Sequence, residues 1–145
     1  MKALVLLSGG VDSSTCLALA KESCAEVLAL SMAYGQKHRR ELEAAQAVAA
    51  YYNVQLLHMN LAEIFAHSDC SLLQHSQASV PHASYAEQLK ERPGEAVSTY
   101  VPFRNGLFLA AAASIALEYG CDVIFYGPHA DDAAGSAYPD CSQEF

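Results

Sequence analysis

Positive charge is scarce in this sequence. Of 145 residues only 8 are Lys or Arg, against 16 Asp or Glu, so the formal net charge is −8 with histidine neutral. A chain whose main task was wrapping nucleic acid would need Lys and Arg to neutralise phosphates, so the expected partner is a small molecule and not a nucleic acid. Long hydrophobic runs are lacking too. No stretch reaches the roughly 18 consecutive apolar residues of a membrane span. Met1-Lys2 leads straight into Ala3 to Leu7, too short for the apolar region of a secretion signal. A cytoplasmic protein with no membrane partner is the expectation. C-x-x-C pairs are missing: Cys16, Cys24, Cys70, Cys121 and Cys141 are odd in number and scattered, so reduced thiols are expected and a zinc knuckle or redox couple is not. Internal repeats, low-complexity tracts and linkers are absent as well.

What is present suits one folded domain over residues 1–145, with 52% hydrophobic and 17% charged residues. Lys2 to Leu7 is a short apolar run closed by Ser8-Gly9-Gly10, which reads as a buried strand ending in a turn. A helix should follow at once, with N-cap chemistry from Asp12, Ser13 or Ser14 and with Leu17, Ala20 and Cys24 near one face. Glu26 to Met32 reads as a second strand. Leu42, Ala45, Ala49 and Tyr52 recur at helical steps, predicting a helix from Gln36 to Tyr52 that Asn53 ends, and Val54 to Met59 reads as a third strand. This alternation predicts an α/β fold, a parallel sheet with right-handed crossovers and helices on both faces. The polar stretch Asn60 to Val97 should hold a short helix near Leu61 to Ala66 and a substrate-covering segment. Arg104 to Tyr119, apolar nearly all round, reads as a buried helix capped by Gly120; Val123 to Tyr126 is a fourth strand, and Gly127 to Phe145 a loop at its carboxyl end.

Ser8-Gly9-Gly10-Val11-Asp12-Ser13-Ser14 lies between the first strand and the first helix. Two glycines let the backbone approach an anion, the helix offers unpaired N–H groups and the positive end of its dipole, and serines add hydroxyl donors. Neither the Walker A spacing with its lysine nor G-x-G-x-x-G is present, so a different phosphate loop is required. An ordinary strand-to-helix turn with capping serines is the plainer alternative.

SGGVDSS after an N-terminal strand resembles the PP-loop of the ATP pyrophosphatase superfamily. YGQKHRRELEAA at Tyr34 to Ala45, STYVPFRNGLFLAAAASIAL at Ser98 to Leu117 and AYPDCSQEF at Ala137 to Phe145 further resemble the 7-cyano-7-deazaguanine synthases. That resemblance implies a Rossmann-like, adenine nucleotide alpha-hydrolase-like fold with the PP-loop after strand 1. It implies ATP-dependent conversion of 7-carboxy-7-deazaguanine and ammonia to the nitrile preQ0 in the queuosine pathway, with ATP and Mg²⁺ and in a homo-oligomer, a dimer. It assigns Leu7, Ser8, Gly9, Gly10, Val11, Asp12, Ser13 and Ser14 to the nucleotide and Lys37, Arg104 and Asp132 to catalysis. Tyr34, Gln36, His38, Phe103, Asn105, His129 and Asp131 fall to the substrate. The family also carries a structural Zn²⁺ on four cysteines after the AYPDC region. Those cysteines are not in this sequence, so relative to the family the expectation is a C-terminally incomplete domain without the zinc segment and, by analogy, without the last strand of the sheet.

Individual residues leave alternatives open. Lys37, Arg39 and Arg40 fall at the start of a predicted helix, where the dipole disfavours cations. Lys37 is the candidate to meet a triphosphate or developing charge, and a solvated basic turn with Glu41 and Glu43 is the alternative. Arg104 can clamp a phosphate or a carboxylate, or pair with a tail aspartate and tie loop to core; Asn105 can be an N-cap. Mg²⁺ could use Asp12, Asp131 or Asp132, and Asp131 and Asp132 could equally form a solvated turn. His129 could orient substrate, shuttle a proton or be a satisfied loop residue. His67, Cys70, His75, His82 and Cys141 show no tetrahedral spacing. Cys16 reads as helix packing, and Cys24 and Cys121 as structural. A tRNA-modifying PP-loop enzyme is the rival activity, weakened by the charge and the missing C-x-x-C; a nucleotide-binding module without turnover is the rival from another class.

Overall fold

Alternate residues of the first strand enter two different cores. In the computed structural model, which describes residues 1–36, 40–68, 70–73, 76, 99–129, 137–142 and 144–145, β1 (Lys2–Leu6) lies inside a parallel sheet of order β3-β2-β1-β4. Its neighbours are β2 (Glu26–Ala33), with Leu4 opposite Leu28, and β4 (Val123–Phe125), with Leu4 opposite Ile124. β3 (Gln55–Asn60) pairs with the far side of β2. Ala3, Val5, Leu7 and Ala29 point to one face, and Leu4, Leu6, Leu28, Leu30 and Met32 to the other. A strand buried on both faces reads as a continuous apolar run, as it does here.

Two helices cover the first face. α1 (Val11–Ser23) buries Leu17 and Ala20, and α2 (Arg40–Tyr51) buries Ala45 and Ala49. α3 (Arg104–Glu118) covers the opposite face through Ala112 and Ala116, with Phe108, Leu109 and Ile115 packed beside them. A third core beyond the carboxyl ends of the strands joins Tyr34, Phe65, Cys70, Leu73 and Val101. It includes the 3-10 turn Ala62–Phe65, close to the short helix expected there. The rest of the expected substrate-covering segment falls mainly outside the described residues. No helix of the described residues is long and apolar enough to cross a membrane.

Three expectations are corrected. α1 is capped by Gly10 in extended conformation, with no side-chain capping bond, so Asp12, Ser13 and Ser14 sit inside the first turn and not at the N-cap. Gln36 does not belong to α2, whose described residues are Arg40–Tyr51. Gln36 is buried outside the helix, where it forms an isolated antiparallel bridge with Leu73 and its Oε1 accepts the Tyr34 N–H at 2.9 Å. α3 is not buried all round, because it packs in a single layer on the sheet and leaves Leu117 83% exposed. It does end as expected, with Gly120 at φ +65° beyond its last residue.

The phosphate-type loop is fitted against α2 at Gly9. With φ at +85°, a Cβ on Gly9 would stand 2.4 Å from the Ala45 nitrogen and 2.7 Å from two Ala44 atoms. Gly10 has φ −76°, and a Cβ there would meet only Ser8 Oγ at 3.6 Å. Gly9→Ala is therefore expected to destabilise the fold by about 3 kcal/mol, from overpacking plus positive-φ strain. Gly10→Ala is expected to shift stability by under about 1 kcal/mol. Urea unfolding midpoints check the pair, and equal midpoints would refute the contact.

Candidate functional site

The chain winds from β1 outward through β2 to β3 and then returns to β4 on the other flank of β1. Ligands of open α/β sheets bind where the winding reverses, outside the carboxyl ends of the strands. A cleft of about 300 Å³ lies there, reached from β1 by Leu6 and Leu7, from β2 by Leu30, Ser31 and Met32, and from β4 by Tyr126 and Gly127.

One wall is the loop after β1. The Ser8 N–H donates to Ser13 Oγ at 3.2 Å, Ser13 Oγ donates to the Gly10 carbonyl at 3.1 Å, and the two serine hydroxyls are 3.1 Å apart. These bonds fold the loop back on the first turn of α1. Because no side chain caps that helix, the N–H groups of its first turn remain available, and an uncapped N-terminus of this kind favours an anion.

The other wall is the start of α3. Arg104 Nη1 donates to the Tyr34 hydroxyl at 3.2 Å, and its guanidinium carbon lies 5.1 Å from the centre of the Tyr34 ring. Tyr34 is fixed by Phe65 and Phe108 on its ring and by Gln36 on its N–H. Burial pushes the Tyr34 hydroxyl above its ordinary range and Arg104 pulls it back. At Arg104, burial opposes the charge, but Tyr34 and Asp140 more than offset it, and its pKa rises. No ion pair to Arg104 forms among the described residues. The tail aspartate takes another partner: Asp140 Oδ2 accepts the Asn105 N–H at 2.9 Å. Asn105 is buried as the second residue of α3, and the N-cap position belongs to Phe103.

The cleft thus brings together Leu7, Ser8, Gly10, Ser13, Tyr34, Gln36, Arg104 and Asn105. Gly9 faces α2 instead. Val11, Asp12 and Ser14 belong to the first turn of α1 but do not line the cleft. Phe103 is 62% exposed in left-handed conformation with its ring against Phe145, and His129 is exposed beyond Gly127; neither lines the cleft. Lys37, His38, Asp131 and Asp132 lie outside the described residues. Among the described residues no three or more His, Cys, Asp or Glu side chains gather to hold a metal. None of the five cysteines is in a disulfide, and burial pushes the thiols of Cys16 and Cys121 up, as befits packing residues.

Sequence reasoning missed Ser31, Glu41, Phe108 and Tyr126, all of which line the cleft. Ser31, a polar residue inside the apolar run of β2 and 1% exposed, was the most readable of them. The Tyr126 hydroxyl is buried with no hydrogen-bond partner among the described residues. Burial, chiefly, pushes it up to about 12; Cys141 and Asp140 add to the shift, and Arg104 and the neighbouring Asn105 side chain oppose it.

A family model described as Queuosine biosynthesis protein QueC matches residues 2–145. A relative from Desulfitobacterium hafniense (strain DSM 10664 / DCB-2), named 7-cyano-7-deazaguanine synthase, is 44% identical over 144 residues, covering 99% of this chain and 57% of the relative. Proteins of the same name from Oceanobacillus iheyensis and Archaeoglobus fulgidus are 40% and 39% identical, over 99% and 100% of this chain and 61% and 57% of their own lengths. The chain thus spans less than two thirds of these relatives.

The Tyr126 hydroxyl sets an alkaline limit. Its folded-state value, about 12, stands above the ordinary 10.0. Between these values the unfolded state has lost the proton while the folded state keeps it, so stability is full below pH 10 and falls as pH rises. Tyr126→Phe is expected to flatten that fall and, by removing an unsatisfied hydroxyl, to raise stability at pH 8 by about 1 kcal/mol. Urea unfolding from pH 8 to pH 11 measures both, and a loss of stability at pH 8 would mean that the hydroxyl is bonded in the folded chain.

Proposed function

Because the chain belongs to the family of the queuosine biosynthesis protein QueC, we propose that its cleft binds ATP and a carboxylate for nitrile formation. In this reading residues 1–145 form the nucleotide-binding domain of an ATP-dependent carbon–nitrogen ligase. That enzyme converts 7-carboxy-7-deazaguanine and ammonia to 7-cyano-7-deazaguanine, the product in its relatives' names. The observation that carries it is Arg104: a partly buried cation, without an ion pair among the described residues, in one cleft with an uncapped helix N-terminus. Two anionic groups, a phosphate chain and a carboxylate, fit those two walls.

The chemistry follows from what a carboxylate lacks. Its anionic oxygen neither leaves nor tolerates a nucleophile, so ammonia cannot displace it directly. With ATP, a carboxylate oxygen attacks the α-phosphorus, pyrophosphate leaves and an acyl-adenylate forms. Ammonia then adds at the acyl carbon, AMP leaves with the carboxylate oxygen and, after loss of a proton, an amide results. The amide oxygen attacks a second ATP in the same way. Loss of AMP and of the remaining N–H protons then gives the nitrile.

Each wall has a distinct part. Ser8, Gly10 and Ser13 with the first turn of α1 hold the phosphates and the leaving pyrophosphate, whose charge the open N–H groups stabilise without reorganising. Arg104, braced on Tyr34, orients the substrate carboxylate toward the α-phosphorus. Lys37 follows the triphosphate as a point charge, with Asp132 beside it in catalysis and His38 and Asp131 toward the substrate, as the resemblance implies. Mg²⁺, when bound, would neutralise phosphate charge; the carboxylate of the loop is Asp12, which would have to hold it from the first turn of α1, outside the cleft lining. The described residues do not fit a zinc site, and no step here depends on one.

Incubating the chain with ATP, Mg²⁺, ammonia and 7-carboxy-7-deazaguanine tests this, with mass spectrometry for the adenylate, the amide and the nitrile. Acid-dependent adenylate is expected, and Ser13→Ala is expected to lower its rate by about one to two orders of magnitude. ATP binding without any acid-dependent adenylate would favour a nucleotide-binding unit without turnover.

A further inference from the structure

Asp140 is 4% exposed, yet it makes no ion pair among the described residues. Its Oδ2 takes the Asn105 N–H at 2.9 Å, and its main-chain oxygen takes the Asn105 side-chain N–H at 3.1 Å. The same Asn105 amide lies 3.3 Å from Cys141 Sγ, so one residue of α3 bonds to two of the three residues of the 3-10 turn Pro139–Cys141. This is a cap supplied from outside. Phe103, the N-cap of α3, offers no side-chain bond, and a carboxylate 35 residues beyond Asn105 fills the place.

Negative charge belongs at a helix N-terminus, but the residue next to the capped N–H is Arg104. A direct salt bridge would engage the guanidinium in a bidentate bond. Here the two groups feel each other's field without bonding, and the guanidinium rests on the Tyr34 ring and hydroxyl. We propose that Asp140 is a positioning residue for Arg104: by capping α3 it sets where the guanidinium sits, and as a counter-charge at a distance it leaves Arg104 uncommitted to any carboxylate of the chain. The inference rests on the reading above, in which Arg104 receives the carboxylate of the acid.

Two substitutions separate the cap from the charge. Asp140→Asn keeps an oxygen for the Asn105 N–H and removes the charge; Asp140→Ala removes both. Titration calorimetry with 7-carboxy-7-deazaguanine at low salt is expected to show Asp140→Asn binding about threefold tighter than the native chain, because one repulsive charge is gone. That gain should shrink near 1 M salt, where screening acts over about 3 Å. Asp140→Ala is expected to bind about tenfold more weakly, because Arg104 loses its seat. Equal losses in the two variants, or native affinity of Asp140→Asn at every salt concentration, would reduce Asp140 to a structural anchor and overturn the inference. Arg104→Ala is the control on the underlying reading: native affinity for the acid in that variant would overturn the functional reading together with this inference.

Discussion

The carboxyl edge of the sheet depends on how closely the loop after β1 can approach α2. Gly9 makes that approach at a distance that no Cβ could occupy, in a conformation that L side chains rarely adopt. Once Gly9 is pressed against Ala44 and Ala45, the chain turns at Gly10 into α1, and Gly10 and Ser13 are the residues of that helix start that line the cleft. Ser8 and Ser13 then close on each other and lock the turn. The small residues of α2 belong to the same constraint, because a larger residue at Ala44 would hold the loop off. Packing between two elements on one face of the sheet thus sets the geometry of the proposed anion site at its edge.

The sequence made much of this readable, because the strands are buried on both faces and the helices alternate with them. The run from Ala3 to Leu7 is apolar at every position, and its residues divide between the two cores as a parallel strand must. Leu56 against Leu57 and Met59 on β3, and Val123 and Phe125 against Ile124 on β4, repeat that division. The start of α2 was not readable, because Gln36 is held by Tyr34 and Leu73 and not by its helical neighbours. Nor was the exposure of α3. An alanine-rich helix shows little contrast between its faces, and only the single layer in which it packs decides which side is covered. In the site, the loop from Ser8 to Ser14 and Arg104 stood out by residue type and place. Asp140 and Tyr126 did not, since their roles come from contacts across the fold.

The proposed anion site has to be reconciled with an acidic chain. Eight cations against sixteen carboxylates leave no general positive field, so attraction has to be local. The loop supplies it with N–H groups and a helix dipole, neither of which adds to the net charge. The facing wall supplies it with one guanidinium that the fold keeps out of any ion pair among the described residues. The nearby carboxylate that could have neutralised Arg104 is turned onto the Asn105 N–H, where its charge is already favoured. The Tyr126 phenol, neutral at physiological pH, adds a polar group to the same wall without adding charge. Removing one surface cation elsewhere would change the net charge without moving this balance, whereas shifting Asp140 from the start of α3 to Arg104 would neutralise the wall and keep the net charge the same. In the proposed function, selectivity for an anion therefore turns on which hydrogen bond Asp140 makes.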